Sequence, residues 1–225
     1  MSFNYSPKIV NDSSLVLYLD AANTKSYVSG STTWNDISRG GNNGTLVNGP
    51  TFSSANGGSI VFDGSNDYVL GTNITNYFTN QIYVSVVYKL TSLGNFPMAL
   101  TLGIAELPEG LSLRHSGGTG IIQLVLSTST TTTLQSSTSV LNQIVQVGLW
   151  YDGATWKGYQ NGVEFASASK TGNIQFGSAP LLRIGSRSDG FYFPGNIYSA
   201  QIYNRALTQQ EILQNYNATK TRYGL

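Results

Sequence analysis

Hydrophobic and polar positions form their clearest pattern in residues 148–169, GLWYDGATWKGYQNGVEFASAS. Three short runs rich in Trp, Tyr, Val and Phe are separated by the dipeptides Asp152-Gly153 and Asn161-Gly162. Such dipeptides between β-prone runs are the strongest short-range signal for a hairpin. The pattern therefore predicts a three-stranded antiparallel meander.

The first run of this meander carries apolar side chains on both of its faces. Successive side chains of a strand point to opposite sides, so Val145, Val147 and Leu149 share one face while Ile144 and Trp150 share the other. This pattern is a weaker fit to a sheet with one fully wet face. We expect a strand of a β-sandwich whose outer surface is used or covered.

Similar short apolar or alternating runs, bounded by turn-forming residues, predict strands along most of the chain. They are expected within residues 15–19, 59–70 around an Asp63-Gly64 turn, 81–90, 98–104, 111–114, 120–127, 181–185 and 196–203. Residues 20–52, rich in Gly, Asn, Ser and Thr, predict a long looped excursion. The Ser/Thr tract at 127–139 predicts an extended edge hairpin.

One segment near the end of the chain has a helical pattern. Thr208 and Glu211 have the spacing of a capping box, and Ile212, Leu213 and Tyr216 follow at helical spacing. We predict one short helix at about residues 208–217. No linker, heptad or internal repeat interrupts the strands.

The composition fits a single large all-β domain. Of the 225 residues, 40% are hydrophobic and only 10% are charged, so Ser, Thr, Asn and Gln must cover most of the surface. We expect an N-terminal arm at residues 1–14 and a domain at residues 15–225. The arm is interpreted as loosely ordered, and the alternative is that it pins the domain to a larger assembly.

Charge and cysteine content exclude several classes of function. The net charge is +1 without any basic run, so we expect neither a nucleic acid nor a membrane as partner. The chain has no cysteine, and therefore no disulfide or thiolate site. No apolar segment has the length of a signal peptide's core or of a membrane span, so we expect synthesis in a host cytosol.

Four segments in order resemble the laminin-G-like domains of the concanavalin A-like lectin/glucanase superfamily. They are FDGSNDYV at residues 62–69, IYVSVVYKL at 82–90, LWYDGATWKGYQNGVEFAS at 149–167, and LRIGSRSDGFYFPGNIYSAQIYNRALTQQEILQNY at 182–216. The resemblance covers residues 15–216, and the final block is its most specific part. It implies a jelly-roll sandwich of two curved antiparallel sheets.

Three further segments resemble versions of this domain in virion structural proteins of tailed bacteriophages. They are YLDAANTKSY at residues 18–27, TTWNDISRGGNNGTLVNGPTF at 32–52 and NYNATKTRYGL at 215–225. This resemblance implies a non-enzymatic capsid decoration protein on the virion surface, with the major capsid protein or other virion proteins as partners and a trimer as one possible state. The alternative is a carbohydrate-binding adhesin or lectin that recognises host surface glycans, and the third hypothesis is a glycoside hydrolase.

Catalysis is disfavoured by the residues themselves. Glucanases of the superfamily place acidic residues at alternating positions of one strand, where two carboxylates can divide the catalytic roles. The nearest pair here, Glu106 and Glu109, is three residues apart around Pro108. His115 is the only histidine and is expected to be a surface turn residue, so it supports neither a catalytic triad nor zinc.

A calcium site is one of two interpretations of the turn that contains Asp63, Asn66 and Asp67, with Asp189 in a later loop. Calcium prefers such hard oxygen ligands, and related domains often hold it. The competing interpretation is that these side chains build the turn by bonding to backbone amides. No cofactor is required, and calcium is a possible ligand.

Two groups of residues meet the requirements of a sugar site, because pyranose rings stack on aromatic faces and sugar hydroxyls need polar partners. The first group lies in one loop and consists of Arg187, Asp189, Phe191, Tyr192 and Phe193. The second consists of Trp156 and Tyr159. Core packing is the alternative for Trp156, and contact with another protein is the alternative for residues 191–193.

Overall fold

The computed structural model of the chain describes residues 7–103, 110–177 and 180–225. Within these ranges the chain forms sixteen strands, one α-helix and two single 3-10 turns, at Ala55–Gly57 and Thr75–Tyr77. The elements are β1 (Leu15–Asp20), β2 (Thr33–Trp34), β3 (Gly44–Val47), β4 (Thr51–Ser53), β5 (Ser59–Asp63), β6 (Tyr68–Leu70), β7 (Ile82–Leu90), β8 (Met98–Gly103), β9 (Leu111–His115), β10 (Ile121–Ser127), β11 (Thr131–Ser139), β12 (Ile144–Tyr151), β13 (Thr155–Gln160), β14 (Val163–Ser169), β15 (Leu181–Ile184), β16 (Pro194–Tyr203) and α1 (Gln209–Tyr223).

The strands form two antiparallel sheets of eight strands each. The first sheet has the order β14-β13-β12-β7-β16-β5-β4, with β1 paired to the second half of β16. The second sheet has the order β11-β10-β9-β8-β15-β6-β3-β2. Every named pair is antiparallel. The predicted all-β sandwich with one C-terminal helix is confirmed.

The predicted meander is present as β12, β13 and β14. Asp152 Oδ1 accepts hydrogen bonds from the amides of Ala154 and Thr155, at 2.9 and 2.7 Å, and Gly153 has a φ of 94°. Asn161 and Gly162 both have positive φ, at 53° and 78°, as a tight two-residue hairpin turn requires. The turn residues therefore set the register of the three strands.

The core lies between the two sheets. Val147 and Leu149 of β12 are fully buried in the same apolar cluster as Leu100 and Leu102 of β8. Burying one such side chain contributes about 1.5 to 3 kcal/mol. The alternation predicted for β12 thus places its first face in the core.

The opposite face of β12 is covered by α1 and the segment that leads into it. The indole Nε1 of Trp150 donates to the carbonyl of Leu207 at 2.7 Å. Tyr83, Tyr203 and Ile212 form a second buried cluster on this side of the sheet. Helix α1 therefore covers the outer surface of this sheet, in agreement with the prediction that this surface is used or covered.

Helix α1 starts as predicted and ends later. Thr208 caps it, with a capping box to Glu211, and Gly224 closes it with a φ of 75°. The predicted end near residue 217 falls well before the observed end at Tyr223. The last turns lack an apolar repeat, and polar contacts of Thr219 and Tyr223 hold them.

The described part of the N-terminal arm, residues 7–14, is bound to α1 and its surroundings. The amide of Val10 donates to Asn215 Oδ1 at 2.8 Å, and the Val10 carbonyl accepts from the Tyr203 hydroxyl at 2.8 Å. Arg205 joins Asp12 and Glu211 at 2.7 Å each. These contacts therefore join four parts of the chain: the arm, the end of β16, the segment after β16, and α1.

Two local predictions need correction. The excursion at residues 20–52 contains β2, β3 and the start of β4, strands of two to four residues that are too short to show an alternation. His115 is fully buried rather than in a surface turn, because β9 extends one residue further and carries it on the same face as Leu111 and Leu113. No helix in the described part of the chain is long and apolar enough to span a membrane.

Candidate functional site

A pocket of about 270 Å³ lies where three loops meet at one end of the sandwich. We call it the rim pocket. The β5–β6 turn contributes Asp63 and Gly64, the β7–β8 loop contributes residues 92–95, and the β15–β16 loop contributes Gly190, Phe191 and Tyr192, with Pro194 beside them. The pocket brings together Asp63, Phe191 and Tyr192, which were predicted in two separate candidate sites.

The β15–β16 loop is shaped by backbone hydrogen bonds across it. Ser186 and Tyr192 form an isolated bridge, and the Arg187 amide donates to the Phe191 carbonyl at 3.0 Å. Gly190 has a φ of 92°, a conformation that side chains disfavour. These constraints set the direction of the Tyr192 side chain, which is half-buried in the pocket wall.

Arg187 and Asp189 hold this loop from within. The guanidinium donates to both carboxylate oxygens of Asp189, at 2.7 and 2.8 Å. Its Cζ atom also lies 4.7 Å from the ring centroid of Phe191. Neither residue lines the rim pocket, and Arg187 is connected to the pocket through its contact with Phe191.

Phe96 supports the pocket from behind and was missed by the sequence analysis. Its ring meets Phe191 edge-on, with centroids 6.0 Å apart and an interplanar angle of 84°. The Cζ atom of Arg114 lies 5.2 Å from the Phe96 centroid. Phe96 adopts a φ of 52°, which is uncommon for an aromatic residue and leaves no signal in the sequence.

The β7–β8 loop supplies polar groups that sequence reasoning also missed. Ser92 and Asn95 are exposed and line the pocket. The loop is tied at both ends, because the Gly118 amide donates to the Gly94 carbonyl at 3.1 Å and the Thr91 amide donates to the Pro194 carbonyl at 3.1 Å. An amide and a hydroxyl therefore line the same pocket as the aromatic residues Phe191 and Tyr192.

The predicted calcium turn is built by its own side chains. Asp63 Oδ1 accepts from the amides of Ser65, Asn66 and Asp67, at 2.8, 3.2 and 3.4 Å. These bonds, led by the one from Ser65, lower the pKa of Asp63, whereas burial raises the pKa of Asp67. The described residues contain no group of three or more His, Cys, Asp or Glu side chains placed to hold a metal. Calcium at this turn stays a prediction.

Three predicted ligand-binding residues lie away from the pocket surface. Trp156, Tyr159 and Phe193 are only 1%, 4% and 0% exposed. Trp156 pairs with Tyr151 on the core face of the meander, and Tyr159 packs in the cluster beneath α1. Phe193 packs edge-on against Tyr88. Because none offers a free ring face, core packing is the role that the structure gives them.

His115, which the sequence analysis weighed for a catalytic triad and for zinc, lies inside the fold. The buried imidazole of His115 places Nδ1 3.1 Å from the Gly120 carbonyl, and burial lowers its pKa to about 4. Its ring packs against Tyr88, with centroids 5.3 Å apart. Glu106 and Glu109 lie outside the described residues.

The rim pocket therefore combines aromatic rings with a carboxylate, an amide and a hydroxyl, in a fold that matches a known family. A laminin G-like family model, described as concanavalin A-like lectin/glucanases superfamily, matches residues 62–213. The chain belongs to this superfamily.

Solved structures with the same fold include carbohydrate-active proteins and a toxin domain. Domain 4 of AbnA, an extracellular arabinanase from Geobacillus stearothermophilus in complex with arabinotriose, has a TM-score of 0.69 at 18% identity, covering 90% of this chain and 98% of that domain. Trypanosoma rangeli sialidase in complex with sialic acid has a TM-score of 0.68 at 15% identity, covering 94% of this chain and 34% of the sialidase. The binding domain of Paraclostridial Mosquitocidal Protein 1 has a TM-score of 0.69 at 14% identity, covering 91% and 52%.

At these identities the likeness shows the fold alone. This laminin G-like domain spans about a third of the sialidase and about half of the toxin binding domain. No curated protein sequence matches it significantly. None of these findings is specific to bacteriophages, so the narrower resemblance to virion proteins stays a prediction.

Proposed function

We propose that this laminin G-like domain is a non-enzymatic carbohydrate-binding module that holds a glycan in the rim pocket. The observation that carries the proposal is the convergence of three loops, which places Phe191, Tyr192, Asn95 and Asp63 in the lining of one pocket. Aromatic rings that face directed polar groups suit the apolar faces and the hydroxyls of a sugar. The arabinanase domain with arabinotriose and the toxin binding domain support this proposal, as proteins of the same fold.

Each wall of the pocket has a distinct part in the proposed complex. Tyr192 provides a face for the sugar ring, and Asn95 and Ser92 provide an amide and a hydroxyl for its hydroxyl groups. Asp63 adds a carboxylate acceptor, and the backbone hydrogen bonds of its turn, led by that from Ser65, lower its pKa. Arg187 acts through its contacts with Asp189 and Phe191 and keeps the aromatic wall in place.

The absence of hydrolysis is part of the proposal. Glycoside hydrolysis ordinarily needs two carboxyl groups that flank the scissile bond, either as acid and nucleophile or as acid and base. Among the described residues that line the rim pocket, Asp63 is the single carboxylate. It is already engaged by three backbone amides.

A broad glycan panel tests the proposal, run once with calcium and once with a chelator. We expect the folded protein to bind a subset of glycans, and we expect Tyr192→Ala to lose most of this binding. Tyr77→Ala is the matched control, because Tyr77 is an exposed tyrosine outside the pocket. The proposal would be overturned if the folded protein bound no glycan of the panel, or if Tyr192→Ala bound as well as the wild type. Loss of binding in the chelator arm would add a calcium ion to the site.

Capsid decoration is a second candidate function, supported by the resemblance of residues 18–27, 32–52 and 215–225 to phage virion proteins. Its partners would be the major capsid protein or other virion proteins, and its place the virion surface. The two functions are compatible if the decoration protein also holds host glycans. A copy number near that of the capsid lattice sites would support it, and absence from purified particles would overturn it.

A further inference from the structure

A second and larger pocket, of about 570 Å³, lies between the N-terminal arm, the segment after β1 and the last turns of α1. We call it the arm pocket. None of its lining residues also lines the rim pocket. It is formed by parts of the chain that the proposed glycan site does not use.

The arm pocket concentrates positive charge on a protein with little charge. Lys8, Lys25 and Arg222 line it, which is three of the twelve basic residues of the chain, and the described residues that line it include no Asp or Glu. Lys8 and Lys25 are exposed and form no ion pair with any carboxylate of the described residues. Their ammonium groups are therefore available to an acidic ligand.

Two carboxylates that bond to Tyr18, one of the lining residues, are already engaged. Asp20 is fully buried and accepts from Arg222 Nη1 at 2.6 Å and from the Tyr18 and Tyr223 hydroxyls, at 2.9 and 2.7 Å. Asp36 accepts from the amides of Tyr18, Ser38 and Asn42, at 2.9, 2.8 and 2.8 Å. Asp20 offsets the charge of Arg222 and holds that side chain in position, and the two lysines remain uncompensated.

The remaining walls suit a sugar more than a simple inorganic anion. Ile9, Ile37 and the ring of Tyr18 form apolar surfaces, and Asn11 and Asn23 add amide groups to the lining. Apolar walls match the C–H faces of a pyranose, and amides can both donate to and accept from its hydroxyls. We propose that the arm pocket binds an acidic saccharide, a sugar that carries a carboxylate or a sulfate. This site is independent of the rim pocket.

Calorimetric titration of the full chain tests the proposal with three probes of similar size: trigalacturonate, a heparin-derived trisaccharide and maltotriose. We expect an acidic probe to bind and neutral maltotriose to bind far more weakly in this pocket. Binding of trigalacturonate alone would identify the carboxylate as the recognised group, and binding of the heparin fragment alone would identify the sulfate. Raising the NaCl concentration should weaken binding, because exposed charges are screened.

Two lysine variants locate the site. Lys8→Gln and Lys25→Gln should each raise the dissociation constant up to about fivefold, the range of a solvent-exposed charge pair. Lys89→Gln removes the same charge from a position outside the pocket and should leave binding unchanged. Tyr192→Ala should also leave it unchanged, so failure of the rim pocket and failure of this proposal are distinguishable.

Three outcomes would overturn the proposal. The first is no binding of either acidic probe, and the second is equal loss of affinity in Lys89→Gln and Lys25→Gln. The third is binding of a hexaglutamate peptide as tight as that of the acidic saccharides, because the pocket would then recognise acidic peptides.

Discussion

The hydroxyl of Tyr223, in the last turn of α1, donates a 2.7 Å hydrogen bond to Oδ1 of Asp20, at the end of β1. The two residues are 203 positions apart, and the Asp20 side chain is fully buried. A buried carboxylate is tolerated only when its oxygens have hydrogen-bond donors. This contact therefore fastens the end of the helix to the first strand.

Tyr223→Phe should destabilise the domain by about 1 to 3 kcal/mol, because it leaves the buried Asp20 with one donor fewer while the ring stays in place. Urea denaturation followed by tryptophan fluorescence measures this change. Tyr77→Phe is the control and should have little effect, since Tyr77 is exposed. Equal midpoints for the two variants would show that the Tyr223 hydroxyl contributes nothing to stability.

His115 should make the domain less stable in mild acid. Burial lowers its pKa to about 4, whereas an unfolded chain has a histidine pKa near 6.5. The folded state therefore binds fewer protons, so this contribution is complete above about pH 6.5 and is lost as the pH falls toward 4. The corresponding loss in the free energy of unfolding is roughly 3 kcal/mol.

The variant His115→Phe tests this, since the introduced phenyl ring would fill a site already lined by Tyr88 and Phe193. Its free energy of unfolding, measured by urea titration from neutral pH down to about pH 4, should fall less than that of the wild type. Parallel pH profiles for the two proteins would contradict the assignment to His115.

The contacts of Arg205 with Glu211 and Asp12 should cause a second loss of stability, at a lower pH than the loss caused by His115. The pKa of Glu211 falls to about 2, chiefly through its hydrogen bond with Arg205. The pKa of Asp12 also falls to about 2, mainly through its hydrogen bond with Ser14 and to a smaller extent through its hydrogen bond with Arg205. Both folded pKa values lie below the unfolded ones, so this stability is present above about pH 4 and is lost toward about pH 2.

Arg205→Gln should reduce the pH dependence between about pH 4 and about pH 2 and destabilise the domain at neutral pH by about 1 kcal/mol, since the groups are partly exposed. Thermal unfolding across this range measures both effects. Lys157→Gln is a suitable control, because it removes a basic partner of a surface carboxylate, Glu164, in a different part of the fold. An Arg205→Gln variant with the wild-type pH profile would contradict this prediction.

Most of the strands and the start of the helix could be predicted because their signals are local, whereas β2, β3 and β4 are too short to show an alternation. The Asn161-Gly162 turn needs only two residues with positive φ, and the capping box of Thr208 and Glu211 spans a single helical turn. The end of α1 could not be predicted, because Tyr223 is held by Asp20, which lies at the other end of the chain.

The candidate site was only partly predictable for the same reason. Trp156 and Tyr192 both stand in aromatic, turn-rich segments, and pairing with Tyr151 places Trp156 in the core. Asn95 reaches the pocket because its loop is fixed by the contact between Gly94 and Gly118, which no local pattern reveals.

Arg187→Ala should weaken glycan binding in the rim pocket without unfolding the domain. The change removes both hydrogen bonds to Asp189 and the contact with the Phe191 ring, so the aromatic wall is no longer held in one position. Ordering a loop on binding costs affinity, and we expect a dissociation constant about tenfold higher. Arg187→Lys keeps the charge but not the two-pronged geometry, and should restore only part of the affinity.

Calorimetry with a glycan from the panel gives the affinities, and the urea midpoint provides the control for folding. Wild-type affinity in Arg187→Ala would show that the loop keeps its shape without this side chain, and the positioning role of Arg187 would then be rejected.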